Sequence, residues 1–309
     1  SRPSDTLCDV LFLAAIMALS AVLYIHGLGW YYDDWHMFGA LNTSADQSSL
    51  GLITTHYELL ENDSNRPLQA LYVVALFLLS GDAPFLYHLA NTIALASGVV
   101  LFYLALRALR VARPIAVSLP LIYGLLPNYS SDRFWFIVGI ANLTVVCYFA
   151  GLYSQARTLD SARPRLWQGA SFAALLACGL IYEMYLPLFV LSPFLVWLVA
   201  RKTGARVPWG LPWGIAAVNV ALILALMVYK LLTTERLAED AGTPLADHLY
   251  LIYWLFSEVA KMNYLQHGFG TIATAWQAVQ LYPDRAILGL GIVTGVAVFA
   301  YLFRLTAAD

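Results

Sequence analysis

Long runs of apolar residues alternate with short polar stretches along the 309-residue chain. A bilayer core needs about 20 apolar residues per helix, so a run of that length predicts a membrane-spanning helix. We identify eight such runs, of which the third is short and needs residues from its flanks to cross. They lie at 7–27, 85–106, 114–127, 134–155, 166–182, 184–200, 209–230 and 286–303. No clean small-residue cleavage site follows the first run, which favours a retained span over a signal peptide.

A further apolar run, residues 67–80, has about 14 residues, which is typical of an interfacial or re-entrant helix. The basic residues indicate whether it crosses, because cytoplasmic loops carry an excess of lysine and arginine. If it does not cross, 11 of the 17 basic residues share one side with four of the 19 acidic residues. If it crosses, the basic clusters at 107–113 and 157–165 both lie outside. We therefore predict a cytoplasmic N-terminus and a surface position for 67–80.

This topology predicts an all-α fold: a polytopic membrane helix bundle with about eight transmembrane helices and juxtamembrane helices in the first outer loop. Two large loops are expected outside, at 28–84 and 231–285. Residues 1–309 are predicted to form a single membrane domain.

Composition supports a membrane location and excludes several functions. Apolar residues make up 61% of the chain and charged residues 12%, and mean hydropathy is +0.69. Soluble domains have about 45–50% apolar and about 25% charged residues, so this chain has too few polar side chains to cover the surface of a soluble globule. A net charge of −2 without a basic run predicts no nucleic-acid partner. The three cysteines are scattered through apolar runs and predict neither disulfides nor a metal motif.

An acidic pair opens the first outer loop. Asp33 and Asp34 directly follow the aromatic residues Trp30, Tyr31 and Tyr32 at the top of the first predicted span. Aromatic residues alone indicate an interfacial belt. Adjacent carboxylates at a membrane boundary offer a general base, a site for a divalent cation such as Mg²⁺ or Mn²⁺, or both. The alternative is a helix-capping aspartate with a solvated neighbour.

Other polar side chains are predicted at the same boundary. Arg66 precedes the surface helix, where a guanidinium and a helix N-terminus both favour phosphate; snorkelling to ordinary headgroups is an equal alternative. Glu183 lies in a tight connection between two spans and is a functional candidate unless a distant arginine pairs with it. For His88 and Asn91, which share a helix face, a helix–helix hydrogen bond is the preferred alternative. The full set of candidates for binding a phosphate or substrate is Arg66, His88, Asn91, Asp132, Arg133, Tyr182 and Glu183.

The order of these motifs resembles that of the integral-membrane glycosyltransferases of the GT-C superfamily, which include protein O-mannosyltransferases and the lipid A aminoarabinose transferase. The resemblance covers about residues 7–200. After the acidic pair, its motifs are Asn-Arg-Pro-Leu at 65–68, Tyr-His-Leu at 87–89, Asp-Arg-x-Trp at 132–135 and Tyr-Glu at 182–183. The chain departs from the pattern where relatives often have Lys-Glu, here Tyr182-Glu183, and His-Pro, here Leu126-Pro127.

The resemblance implies a conserved seven-span module at 7–206, with two juxtamembrane helices of which 67–80 is the second. It implies variable C-terminal spans in 207–309. It implies an enzyme that moves a sugar from a polyprenyl-phosphate-linked donor to an acceptor at the outer face, with inversion. Asp33 or Asp34 then acts as the base toward the acceptor, and some relatives also bind a divalent cation through acidic loop residues.

The expected partners are the lipid-linked sugar donor, membrane lipid and an acceptor that is a glycan, a lipid or a protein. The expected location is a bacterial inner or plasma membrane, with the site on the extracytoplasmic face. Two alternatives from other classes are a lipid-linked glycan transporter or flippase and a non-catalytic membrane subunit. A transporter is expected to show repeats and charged residues at mid-membrane.

Overall fold

The computed structural model describes residues 3–22, 24–61, 66–125, 133–202, 204, 207–233, 250 and 285–308. This part of the chain is all-α and contains no strand. Its eleven helices of ten or more residues are α1 Pro3–Val22, α2 Asp33–Thr43, α3 Ser49–Glu61, α4 Pro67–Ser80, α5 Pro84–Ala108, α6 Arg113–Leu125, α7 Ala141–Arg157, α8 Pro164–Ile181, α9 Leu186–Lys202, α10 Gly210–Thr233 and α11 Arg285–Ala308. A helical turn at Phe136–Gly139 leads into α7, and a 3-10 turn at Glu183–Tyr185 joins α8 to α9.

Within the described ranges, six helices are long and apolar enough to cross a membrane. These candidate spans are Ser4–Val22, Pro84–Ala108, Phe136–Arg157, Glu183–Lys202, Gly210–Thr233 and Gly289–Thr306. They coincide with six of the eight predicted runs. The other two runs are helical as well, but α6 has 13 residues, a length of about 20 Å against a hydrocarbon core of about 30 Å. The 18 residues of α8 include Arg165 and Gln168 near its start, which lowers its hydropathy.

Three short helices, α2, α3 and α4, follow α1 before α5 begins, where the resemblance implied two. The apolar run 67–80 coincides with α4. Pro67 occupies the first turn of this helix, where its fixed φ fits and its missing N–H is not needed. The helix ends at Gly81, whose φ of 53° lies in the left-handed region that glycine adopts readily.

A buried carboxylate fixes the relative directions of α1, α5, α6 and α11. Asp9, near the start of α1, accepts a 2.6 Å hydrogen bond from the Tyr103 hydroxyl near the end of α5. It also accepts hydrogen bonds from Arg113 at the start of α6, at 2.8 and 2.9 Å, and from the Tyr301 hydroxyl near the end of α11. The start of α1 and the end of α5 therefore lie at the same end of the bundle.

This arrangement has α1 and α5 crossing in opposite directions, so the segment between them starts and finishes at the other end. A single crossing by α4 does not fit these directions, and α4, with 14 residues, is not among the candidate spans. Arg113 also lies at the end opposite Asp33, as the charge distribution predicted. We call the end of the bundle where α1 finishes the outer end, following the predicted topology.

The bundle is built around α5 and α7, which pack against each other. α1 and α6 cover one side of α5, whereas α8 and α9 cover α7, and α10 packs on both of them. Small residues allow close approach, as is usual between helices in membranes. A Cβ added at Gly151 of α7 would lie 2.6 Å from the ring of Phe189 on α9, so only glycine fits there.

Candidate functional site

Every predicted site residue that the structure describes lies at the outer end of the bundle. They come from five places in the fold: the start of α2, the residue before α4, the first turns of α5, the residues before α7, and the α8–α9 junction. Asp132, which was predicted with them, lies outside the described residues. The described candidates therefore share one end of the bundle, where they form several distinct groups.

Asp34 is fully buried, and backbone groups hold its carboxylate. Oδ2 accepts a 3.1 Å hydrogen bond from the Tyr31 N–H, and Oδ1 accepts a 3.0 Å hydrogen bond from the Ile137 N–H. Because Ile137 belongs to the turn before α7, Asp34 ties the start of α2 to the start of α7. Burial raises the pKa of Asp34 above its ordinary value, although the backbone N–H groups and the nearby His88 act in the opposite direction.

Asp33 has a different environment from its neighbour. It is exposed, and within the described part of the chain its carboxylate has no hydrogen-bond or ion-pair partner. The residue before it, Tyr32, has a φ of 25° and is 82% exposed. A non-glycine residue in such a region costs about 1–3 kcal/mol, and such strain often occurs at functional sites. Of the acidic pair, Asp33 is thus the carboxylate available for chemistry.

His88 joins the loop after α1 to the first turns of α5. Its ring is fully buried, and Nε2 donates a 3.0 Å hydrogen bond to the carbonyl of Gly29. Since a carbonyl oxygen only accepts, the proton belongs to Nε2 and Nδ1 carries a lone pair. Nδ1 is buried and has no hydrogen-bond partner within the described residues. This histidine therefore positions the loop that leads to the acidic pair.

Asn91 lies about one turn after His88 on α5, and its side chain links α5 to α7. Its Oδ1 accepts a 2.8 Å hydrogen bond from Nδ2 of Asn142, and both side chains are buried. The Asn91 amide also packs on Gly139, where an added Cβ would overlap it. The helix–helix hydrogen bond that was the preferred alternative for this position is confirmed.

Arg66, Glu183 and Lys230 form a cluster that contains two cations and one anion. Arg66 donates to both carboxylate oxygens of Glu183, at 3.0 and 3.4 Å, and Lys230 donates to Oε2 at 2.9 Å. The Arg66 guanidinium also lies 3.8 Å from the centre of the Tyr182 ring, which holds it flat. The carboxylate of Glu183 is 41% exposed, whereas the two cations are mostly buried. We call this group the arginine–lysine cluster.

For Glu183 the structure shows the alternative that the sequence left open, pairing with a distant arginine, and the partner is Arg66. Lys230 was missed by the sequence analysis. Its signal was present, since it is the lone charged residue in the apolar run 209–230 and lies in the last turn of α10. A charged residue at the end of a span commonly marks a functional or paired position.

A hydrophobic cluster connects the acidic pair to the arginine–lysine cluster. It contains Phe38, Phe136 and Ile181 in its core, with Ile137 and Tyr182 packed against it. Ile137 donates its N–H to Asp34, and Tyr182 stacks on Arg66. The two polar groups are therefore positioned by one continuous packed layer at the outer end.

Arg133 belongs to a separate group on the α1 side of the bundle. Its Nη1 donates a 3.1 Å hydrogen bond to Oγ of Ser20 near the end of α1. Arg133 also lines a small cavity of about 10 Å³ together with Asn91, Tyr24 and Ser20. The structure thus places Arg133 with α1 and Asn91, and it shows no contact between Arg133 and Glu183.

The acidic pair does not fit a shared metal ion. Both carboxylate oxygens of Asp34 already accept backbone N–H groups, which leaves Asp33 as the one unengaged carboxylate of the two. Across the residues that the structure describes, no group of three His, Cys, Asp or Glu side chains could hold a metal ion. Protein sites for Mg²⁺ or Mn²⁺ use several oxygen ligands, so we assign no metal role to Asp33 and Asp34.

The fold defines the class of the protein: it is an integral membrane protein with several spanning helices and an all-α architecture. In comparisons with known proteins, no family model, no curated protein and no solved structure matches the chain. The assignment beyond this class therefore depends on the motifs and on the geometry of the outer end.

Proposed function

We propose that this protein is a GT-C-type glycosyltransferase that moves a sugar from a polyprenyl-phosphate-linked donor to an acceptor at the outer face of the membrane, with inversion. The observation that carries the proposal is the arginine–lysine cluster, in which two cations share one carboxylate at the same end as the exposed Asp33. The motif order of the sequence supports the same reaction. In this proposal α6 and α8 also cross, which gives eight spans.

The arginine–lysine cluster suits the phosphate of a lipid-linked donor. The cluster places two cations, Arg66 and Lys230, beside one carboxylate at the outer end of the bundle. Stacking on Tyr182 and pairing with Glu183 hold the Arg66 guanidinium in one orientation, which reduces the ordering needed when a phosphate binds. Charge that develops on the departing phosphate is then stabilised by groups already in place.

Asp33 is the proposed base. Its carboxylate takes the proton from an acceptor hydroxyl, and the oxygen forms a bond to the anomeric carbon. The bond from that carbon to the phosphate oxygen breaks, and the electron pair leaves with the polyprenyl phosphate. Such a base contributes about 10²–10⁴-fold to the rate. Asp34 is already held by two backbone N–H groups and therefore positions the strained turn before Asp33.

His88 and Asn91 have positioning roles in this proposal. His88 fixes the loop after α1 through Gly29, and Asn91 fixes the spacing of α5 and α7. Their substitution is expected to move the acidic pair relative to the arginine–lysine cluster. Neither side chain is assigned a direct contact with substrate.

The test measures sugar transfer by the purified protein in detergent, from a panel of synthetic short-chain polyprenyl-phosphate monosaccharides. Asp33→Asn is expected to lower kcat by about 10²-fold or more, since it removes the proton acceptor and keeps the side-chain shape. Glu58→Gln is the matched control, because Glu58 is an exposed carboxylate on α3 of the same outer segment. Equal turnover by Asp33→Asn and wild type overturns the proposed base.

Assays on the same purified protein distinguish the glycosyltransferase from the transporter and from the non-catalytic subunit. Absence of transfer together with movement of the lipid-linked sugar across a reconstituted bilayer would favour the transporter. Absence of both activities would favour a non-catalytic subunit.

A further inference from the structure

We infer that a groove between α1, α6 and α11 is a binding site for an anionic membrane lipid, separate from the arginine–lysine cluster. The groove has a volume of about 470 Å³. Leu19 of α1, Leu125 of α6, and Leu290 and Val298 of α11 provide most of its apolar wall. We call it the lateral groove.

The position of α11 explains why this groove exists. Near its final turns, α11 is held by Leu305, which is buried, and by Tyr301, whose ring stacks on Phe12 of α1 at 3.9 Å. Its earlier turns are little covered: the side chains of Ile292 and Val296 are 59% and 62% exposed. The outer half of α11 therefore borders lipid on one side and the lateral groove on the other.

The guanidinium of Arg133 is linked to the wall of this groove through a hydrogen bond to Ser20. Ser20 lines the lateral groove, and its Oγ accepts the 3.1 Å hydrogen bond from Nη1 of Arg133. Ser20 and Tyr24 also line the small cavity that contains Arg133, so the two spaces share a wall. The Nη2 atom of Arg133 is buried and has no hydrogen-bond partner within the described residues. A buried cationic donor without a partner is costly and favours an anion.

The lateral groove and the nearby Arg133 together indicate one kind of ligand. An apolar groove of this kind fits a hydrocarbon chain, and Arg133, which lies behind Ser20 at the outer end of the groove, fits a phosphate that carries net negative charge. A zwitterionic headgroup offers the same phosphate with a cation beside it, which weakens the attraction to Arg133. The site is therefore assigned to a lipid with net negative charge, and it does not depend on whether the protein transfers a sugar.

Three glycines allow a clean test of the groove. Gly291 and Gly295 line it, Gly289 does not, and a Cβ added at any of the three meets nothing within 4 Å. Leucine at both 291 and 295 is therefore expected to extend into the groove, and Gly289→Leu adds the same kind of side chain to the same helix outside the groove. This pair of variants separates filling of the groove from a general change in hydrophobicity.

The measurement is native mass spectrometry of the full chain titrated with phosphatidylglycerol or phosphatidylcholine that carry identical acyl chains. Wild type and Gly289→Leu are expected to prefer phosphatidylglycerol by about tenfold or more, the size of one charge-assisted hydrogen bond. The double variant Gly291→Leu/Gly295→Leu is expected to bind both lipids at least about tenfold more weakly. Unchanged binding by this double variant overturns the lateral groove as the site.

Arg133 variants test the headgroup separately. Arg133→Gln is expected to abolish the preference for phosphatidylglycerol while keeping the weaker binding that the acyl chains provide. Arg133→Lys keeps the charge and is expected to keep the preference, which also shows that the outer end remains folded. A preference that persists in Arg133→Gln overturns the role assigned to Arg133.

Discussion

The hydroxyl of Tyr103 donates a 2.6 Å hydrogen bond to the carboxylate of Asp9, so the end of α5 is joined to the start of α1. Asp9 is fully buried, and Arg113 and Tyr301 donate to the same carboxylate. One side chain therefore holds four helices together at the end of the bundle away from the candidate site.

Asp9→Ala is expected to lower the free energy of unfolding by about 3–5 kcal/mol, because it leaves the charge of Arg113 and the Tyr103 hydroxyl without their partner. Denaturant or thermal unfolding in detergent measures the change. Asp5→Ala is the control: Asp5 lies 3.7 Å from Arg113 and is 39% exposed, so about 0–1 kcal/mol is expected. Similar losses in the two variants would contradict the central role of Asp9.

The two members of the acidic pair are expected to respond differently to removal of the carboxylate. Asp34→Ala leaves the partly buried N–H groups of Tyr31 and Ile137 unpaired, and we expect the two together to cost about 1–3 kcal/mol. Asp33→Ala is expected to change stability by less than about 0.5 kcal/mol, as is usual for an exposed side chain. The comparison requires unfolding of both variants under one condition. A stability loss confined to Asp33→Ala would reverse the assigned roles.

His56 on α3 predicts a dependence of stability on pH. It is almost fully buried, and within the described residues neither ring nitrogen has a hydrogen-bond partner. Burial lowers the pKa of His56 from 6.5 to about 4. Between these values the unfolded chain binds a proton that the folded chain does not, so this contribution to stability is present above pH 6.5 and is lost as pH falls toward 4.

The corresponding change in the free energy of unfolding is about 3 kcal/mol. His56→Phe is expected to remove this part of the pH dependence, because it deletes the titrating group and keeps a ring in the core. His36→Phe, at an exposed position on α2, is the control and is expected to keep it. Unfolding curves at pH 7, 6, 5 and 4 measure the effect, and parallel curves for wild type and His56→Phe would contradict it.

Arg66 is expected to contribute to binding of the lipid-linked donor. Arg66→Ala removes one of the two cations of the arginine–lysine cluster and is expected to raise the KM for the lipid-linked donor by about tenfold or more. Arg66→Lys keeps the charge without the bidentate geometry, so a smaller rise is expected. Arg110→Ala is the control, because its ion pair with Asp160 is half-exposed and lies at the opposite end of the bundle. Steady-state kinetics separate the variants, and an unchanged KM in Arg66→Ala would exclude a role in donor binding.

Most of the transmembrane architecture could be predicted from the sequence because long apolar runs have few alternatives in a bilayer. For the short run 67–80, the distribution of basic residues predicts a surface position independently of length, and a 14-residue helix forms there. The helices α2 and α3 were not delimited in advance. They are short and mix polar with apolar residues, so their positions depend on packing, α3 against α4 and α2 against α3, and not on their own sequence pattern.

The sequence predicted that the candidate residues share one end of the bundle, but it did not predict which side chains pair with each other. The predicted topology put Arg66 and Glu183 at the same end of the bundle. The ion pair between Lys230 and Glu183 depends on the packing of α10 beside α8, which the sequence does not show. The different roles of Asp33 and Asp34 could not be predicted either. They depend on the N–H of Ile137, which is 103 residues away from Asp34 in the chain.

The Asp9–Arg113 pair also has a consequence for biosynthesis. The two residues are 104 positions apart, and ribosomes add about 5–20 residues per second, so α1 exists for roughly 5–20 seconds before its cationic partner is made. During that interval a carboxylate near the start of α1 lacks its counter-ion, which disfavours deep insertion of that end. The start of the first helix therefore gains its counter-ion only when α6 has been made, and a translational pause between the two helices prolongs the time for which Asp9 is without it.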